Sequence, residues 1–125
     1  MKKIKILSLF SLLILSTGFL FAQNKSDQKA LGTWAFSAQE APYGYTNGDI
    51  VITKDGKELA GEIVFSEYYK IKVQNLKLEN KVLTFKTNLE GESINVKVTI
   101  TKDDMKGFVT FSEGTLPITA KRKKK

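Results

Sequence analysis

The chain has 125 residues with no cysteine and no histidine, which leaves room for one domain with a modest core and excludes a disulfide scaffold, thiolate or His-assisted nucleophiles and the commonest zinc ligands. Its formal charge of +7 is unevenly placed: Lys2, Lys3 and Lys5 lie at one end and Lys121 to Lys125 at the other, so residues 23–120 carry 12 basic against 13 acidic side chains. A basic terminus on a nearly neutral body is not a nucleic-acid-binding face, and no nucleic-acid partner is expected.

Residues 1–22 read as a cleavable export signal, with a lysine-bearing start, an apolar stretch from Ile4 to Phe21 and a small residue, Ala22, before Gln23. A retained membrane anchor is the rival reading, opposed by Ser8, Ser11, Ser16, Thr17 and Gly18 within the apolar run. The expected destination is the periplasm or the extracellular medium of a bacterium. Residues 23–30 form a linker, 31–122 the folded domain and 123–125 a basic tail.

From residue 32 onward apolar and polar residues alternate with period two, the signature of half-buried strands. The first predicted strand, 32–38, puts Trp34 and Phe36 on one face. The segment 37–48 follows, the longest connection in the domain, with Tyr43 and Tyr45 flanking Gly44. It suits a lid or a contact loop, or simply caps the barrel end. Strands at 49–54 and 58–66 flank Asp55-Gly56 and carry Ile50, Ile52, Leu59, Ile63 and Phe65 inward. The next, 69–78, changes phase near Asn75, which predicts a bulge or bend. Strands at 81–87, 93–101, 104–112 and 115–121 complete a set of eight, joined by turn residues such as Glu90-Gly91, Asp103-Asp104 and Glu113-Gly114. The terminal lysines read either as a solvated tail or as a weak contact for an anionic surface.

Residues 50–67, IVITKDGKELAGEIVFSE, return at 98–113 as VTITKDDMKGFVTFSE. A strand, a tight turn and a strand repeated in so short a chain indicate a meander of similar hairpins. The expectation is an all-β domain: an eight-stranded antiparallel up-and-down β-barrel, which removes exposed edges, preceded by a signal-peptide helix. A two-sheet sandwich is the alternative closure. Gly61 and Gly107 hold matching places in the two repeats, where a strand glycine lets a small barrel curve or clears space for a ligand.

The opening Leu31-Gly32-Thr33-Trp34 resembles the GxW start of the calycins, the superfamily of lipocalins, fatty-acid-binding proteins and avidins, and Leu59-Ala60-Gly61-Glu62 resembles an avidin-type strand. The resemblance implies a barrel that binds rather than transforms, and a basic residue after the last strand stacked on the tryptophan. Arg122 is the matching residue, with Lys121 second. The chain departs from the family in its short length, in lacking the helix after the last strand and in having no set of polar biotin contacts.

Carboxylates in the turns, such as Glu90, Glu92, Asp103 and Asp104, read as solvated punctuation rather than a catalytic pair or calcium loop. The expectation is a non-enzymatic, monomeric binder without cofactor or metal, taking a small apolar or amphipathic molecule at the barrel mouth. Its candidate contacts are Trp34, Phe36, Tyr43, Tyr45 and Tyr69, while Trp34, Arg122, Gly61 and Gly107 are structural candidates. A solid barrel whose loops meet a protein or envelope component is the second expectation.

Overall fold

A computed structural model describes residues 28–124; the signal-peptide reading of residues 1–22 lies outside them. The strands are β1 (Gly32–Ser37), β2 (Asn47–Asp55), β3 (Glu58–Ser66), β4 (Tyr69–Lys72), β5 (Gln74–Glu79), β6 (Val82–Leu89), β7 (Glu92–Thr101), β8 (Asp104–Phe111) and β9 (Gly114–Arg122). They form one antiparallel sheet in the order β4-β3-β2-β1-β9-β8-β7-β6-β5, curled into a nearly closed barrel. Every sequential pair except β4 and β5 is a hairpin, and β1 with β9 supplies the single non-sequential joint, with Trp34 opposite Arg122. Along β7 the buried Val96, Val98 and Ile100 alternate with the exposed Asn95, Lys97 and Thr99, so the pleat alone decides which residues enter the core. Trp34, Ile50, Ile52, Leu83 and Met105 are the largest fully buried side chains, each contributing about 1.5–3 kcal/mol by burial.

Among the described residues the structure corrects the expected count of eight strands to nine. The segment expected as one strand over 69–78 breaks at Val73, and its two halves pair with different neighbours, β4 with β3 and β5 with β6. The reason is local. Asn75 adopts φ 54, a left-handed conformation that asparagine tolerates, and the β5–β6 register slips between Gln74 and Lys77. At the break the Val73 N–H donates to Gly61 O (3.0 Å) and the Thr87 hydroxyl donates to Lys72 O (3.0 Å), so both walls are held while neither strand edge is fully paired. The bend carries the chain from one wall to the other.

Gly61 faces this bend: a Cβ there would meet Val73 and Leu76 side chains at 3.0 and 3.3 Å. Gly107 is tighter still, since a Cβ would lie 2.0 Å from Lys97 O and 2.6 Å from Val98 Cα. Here backbone approaches backbone, and only glycine lets β8 coil so closely onto β7.

The alternation of hairpins sorts the connections between two ends. Residues 38–46, 67–68, 90–91 and 112–113 cluster at one end, the mouth; residues 56–57, 80–81 and 102–103 and both termini of the domain lie at the other, the foot. The foot is plugged. Trp34 Nε1 donates to Ala30 O (3.0 Å), both residues are fully buried, and the Arg122 guanidinium lies 4.2 Å from the indole centroid. Arg122 also donates to the carbonyls of Leu31 and Lys29 and to Asp103 Oδ1 (2.9 Å), tying the end of the linker to the barrel. Lys123 continues this union: its N–H donates to Thr33 O and its Nζ to Asp49 (2.9 Å), which makes it part of the domain wall.

Candidate functional site

The interior at the foot is filled by Trp34, Ala30 and Met105, whereas the other end of the barrel opens at the mouth. A cavity of about 340 Å³ lies there, its wall built from Phe36, Phe65, Phe85, Val96, Val109 and Phe111 and its rim from Ala41, Pro42, Tyr45, Glu90, Glu92 and Glu113. That volume sits at the small end of the roughly 300–1,000 Å³ range of small-molecule sites. The strand pleat builds its wall: β1, β6, β7, β8 and β9 each send an inward residue to this level.

The 38–46 loop folds over one side. Ala38 N–H donates to Thr46 O (2.7 Å) and Tyr45 N–H to Pro42 O (3.0 Å), the latter closing a turn whose third residue, Gly44, has φ 93. A positive φ at that place is what a type II turn requires, and it sends the two tyrosines different ways. Tyr45 turns in, packing edge-on against Phe65 (5.1 Å) and donating its hydroxyl to Glu90 Oε2 (2.8 Å). This bond joins the lid loop to the β6–β7 turn and pushes the Tyr45 pKa up to about 12, chiefly because the phenol donates to an anion and secondarily through desolvation. A second clasp joins that turn to the next: Glu92 accepts from the Ser112 N–H (2.9 Å) and from the Ser112 hydroxyl. The two bonds hold the Glu92 carboxyl below the usual carboxylate range.

Of the residues expected to meet a ligand, Phe36 and Tyr45 line the cavity. Tyr43 does not: the turn places it at its tip, fully exposed. Trp34 does not either, because one strand turn of pleat separates it from Phe36 and puts it in the foot, on Arg122. Tyr69 stands behind the wall, tilted against Phe65 at 5.5 Å and 6.4 Å from Tyr45. Gly61 and Gly107 lie away from the cavity and serve the curvature of the sheet. Glu90 and Glu92, expected as solvated punctuation, form its rim together with Glu113 of the β8–β9 turn. A signal for them existed: in a meander, alternate connections share one end, and every alternate connection here holds an acid.

No family model and no curated protein matches this chain. Among solved structures it is similar to a redesigned beta barrel, with a TM-score of 0.55 and 13% identity over 79% of this chain and 96% of that one. The fold is a β-barrel.

The site brings together a wholly apolar wall, five aromatic rings in Phe36, Tyr45, Phe65, Phe85 and Phe111, and carboxylates confined to the rim. Such an arrangement has the chemistry to hold an apolar body by burial with a polar end at the opening.

Proposed function

We propose that this protein is an exported, non-catalytic binding protein that takes one small apolar or amphipathic molecule into the mouth of the barrel. The observation that carries this reading is the 340 Å³ apolar cavity above a plugged foot. A fold needing only a packed core would fill that space, since interiors otherwise reach close-packed density. A calycin-type kinship is supported by Gly32 and Trp34 opening β1 with Arg122 stacked on the indole. The leader-like first 22 residues support export, and Lys124 and Lys125 beyond the wall-bound Lys123 offer a weak contact for anionic surfaces.

The test is displacement and retention. Native mass spectrometry of the chain secreted by a bacterial host, set beside the denatured sample, should show a removable excess mass. The purified protein should also bind the neutral fluorophore N-phenyl-1-naphthylamine, and Val109→Trp, which fills the cavity from β8, should abolish the signal with the melting temperature retained. Probe binding that is indifferent to Val109→Trp would place the ligand elsewhere and overturn the reading.

A second reading, protein contact through the mouth loops, draws on Tyr43 and Tyr68, which are 100% and 93% exposed at that same end. It expects Tyr43→Ser with Tyr68→Ser to leave probe binding intact while abolishing any specific crosslink to a partner.

A further inference from the structure

The connections at the mouth carry Glu40, Glu67, Glu90 and Glu113, with Glu92 beside them at the start of β7, and not one lysine or arginine. Those at the foot, with the flanking strand ends and termini, carry Lys29, Lys54, Lys57, Lys81, Lys102 and the basic run from Lys121, which outnumber Asp55, Glu58, Glu79, Asp103 and Asp104 at the same end. A chain whose middle is close to neutral is thus polarised along the barrel axis, acidic at the opening of its cavity and basic at the sealed end. The nearest basic side chain on the lid side, Lys70 of β4, is exposed on the outer face of the wall.

The partners of the rim acids sharpen the point. Glu90 is bound by the Tyr45 phenol and Glu92 by Ser112, neutral donors that fix the carboxylates in place without cancelling their charge. Glu113 completes the rim from the β8–β9 turn. Between and below these acids lie the rings of Tyr45, Phe36, Phe65 and Phe111, whose faces attract cations. The carboxylates do not converge on one point: among the described residues no three acids are grouped so as to hold a metal ion. Diffuse negative charge around an aromatic opening suits a bulky monovalent cation rather than a divalent one.

We propose that the ligand of this cavity is an organic cation, an apolar chain or ring bearing a protonated or quaternary amine, with the apolar part buried among the phenylalanines and the ammonium kept at the rim by the combined field of Glu90, Glu92 and Glu113. The inference rests on the cavity reading given above and adds the sign of the ligand's charge. The field of the acidic mouth raises the local concentration of cations and disfavours carboxylate-headed molecules such as fatty acids.

The experiment compares three ligands of one chain length, octylammonium, octanol and octanoate, as competitors of N-phenyl-1-naphthylamine at pH 7 and low salt. Octylammonium should compete about tenfold better than octanol, the scale of one charge-assisted hydrogen bond at a partly wet site, and octanoate should be the weakest. In the triple variant Glu90→Gln, Glu92→Gln, Glu113→Gln, whose amides still accept from Tyr45 and Ser112, the gap should close to within about twofold while octanol is unchanged. Should that variant fold poorly, raising salt to about 0.5 M with the native chain screens the same charges and should narrow the gap likewise. Octanol matching octylammonium on the native chain would overturn the cationic assignment and leave the cavity reading standing. Absence of probe binding, together with no shift in melting temperature by any of the three, would overturn both.

Discussion

Arg122 joins three parts of the molecule through one side chain. Its guanidinium covers the Trp34 ring at 4.2 Å, caps two carbonyls of the incoming chain and pairs with Asp103 of the β7–β8 turn. Lysine keeps the charge but cannot make this planar fork, so Arg122→Lys should destabilise the domain by about 1–3 kcal/mol, measurable by urea unfolding. This pair was expected only through the resemblance of Leu31-Gly32-Thr33-Trp34 to the calycin opening; in the structure it forms because β1 pairs with β9 in the register that sets Trp34 opposite Arg122. At the other end Tyr45 gives a titration test. Its pKa stands at about 12 against an ordinary 10.0. A raised pKa means that the folded state holds the proton longer, so the Tyr45–Glu90 bond stabilises fully below pH 10 and is lost as pH rises through 12. Tyrosinate absorbance of the four tyrosines should therefore show one late ionisation. Glu90→Gln, which removes the anion, should bring it back toward the others. For Glu92 the sign is opposite: its lowered pKa makes the Ser112 clasp stabilising above the ordinary glutamate range and lost as pH falls through the depressed value. Ser112→Ala should raise that value in a carboxyl NMR titration.

The two copies of the repeated hairpin became β2–β3 and β7–β8, and both turn at the foot. Their strands were readable because period-two alternation survives wherever one face is wet and the other buried. The segment after Tyr69 was harder to read. Its alternation continues across Val73 while its hydrogen-bond partner changes, and side-chain pattern carries no record of which neighbour a backbone group faces; only the slip near Asn75 marked the place. Because β4 and β5 each leave one edge incompletely paired, their amides should exchange with solvent ahead of those in β7 and β8, which have full neighbours on both sides. Hydrogen exchange read by NMR would show this, and equal protection around the sheet would mean that the seam is closed in solution. The repeat also placed its glycines in equivalent positions with unequal demands. Gly61→Ala meets the side chains of Val73 and Leu76, which can shift, whereas Gly107→Ala meets the backbone of β7. The first should cost about 1 kcal/mol or less and the second about 2–4 kcal/mol or fail to fold.

Taken whole, the barrel divides its labour along one axis. Trp34, Ala30, Met105 and Arg122 seal the core at the foot, and the proposed binding site lies at the mouth, where the cavity opens. A linear reading found the inward residues of both ends but could not say which lay beside empty space, because cavity volume depends on how the strands are arranged in three dimensions and not on the hydrophobicity of any residue. It also read the rim acids singly, as turn residues, when their common sign emerges only after alternate connections are gathered at one end. The axial division has a direct optical consequence. Trp34 is the sole tryptophan, fully buried, and it lies at the opposite end from the cavity. Its emission should be blue-shifted and collapse on unfolding, yet stay unchanged when octylammonium occupies the mouth. The same ligand should raise the melting temperature followed by that emission, since anything that binds the folded state alone stabilises it by mass action. A spectral shift at constant fold would mean that ligand reaches the indole and that the plug at the foot opens; a rise in melting temperature with a silent tryptophan would fix binding at the far end of the barrel.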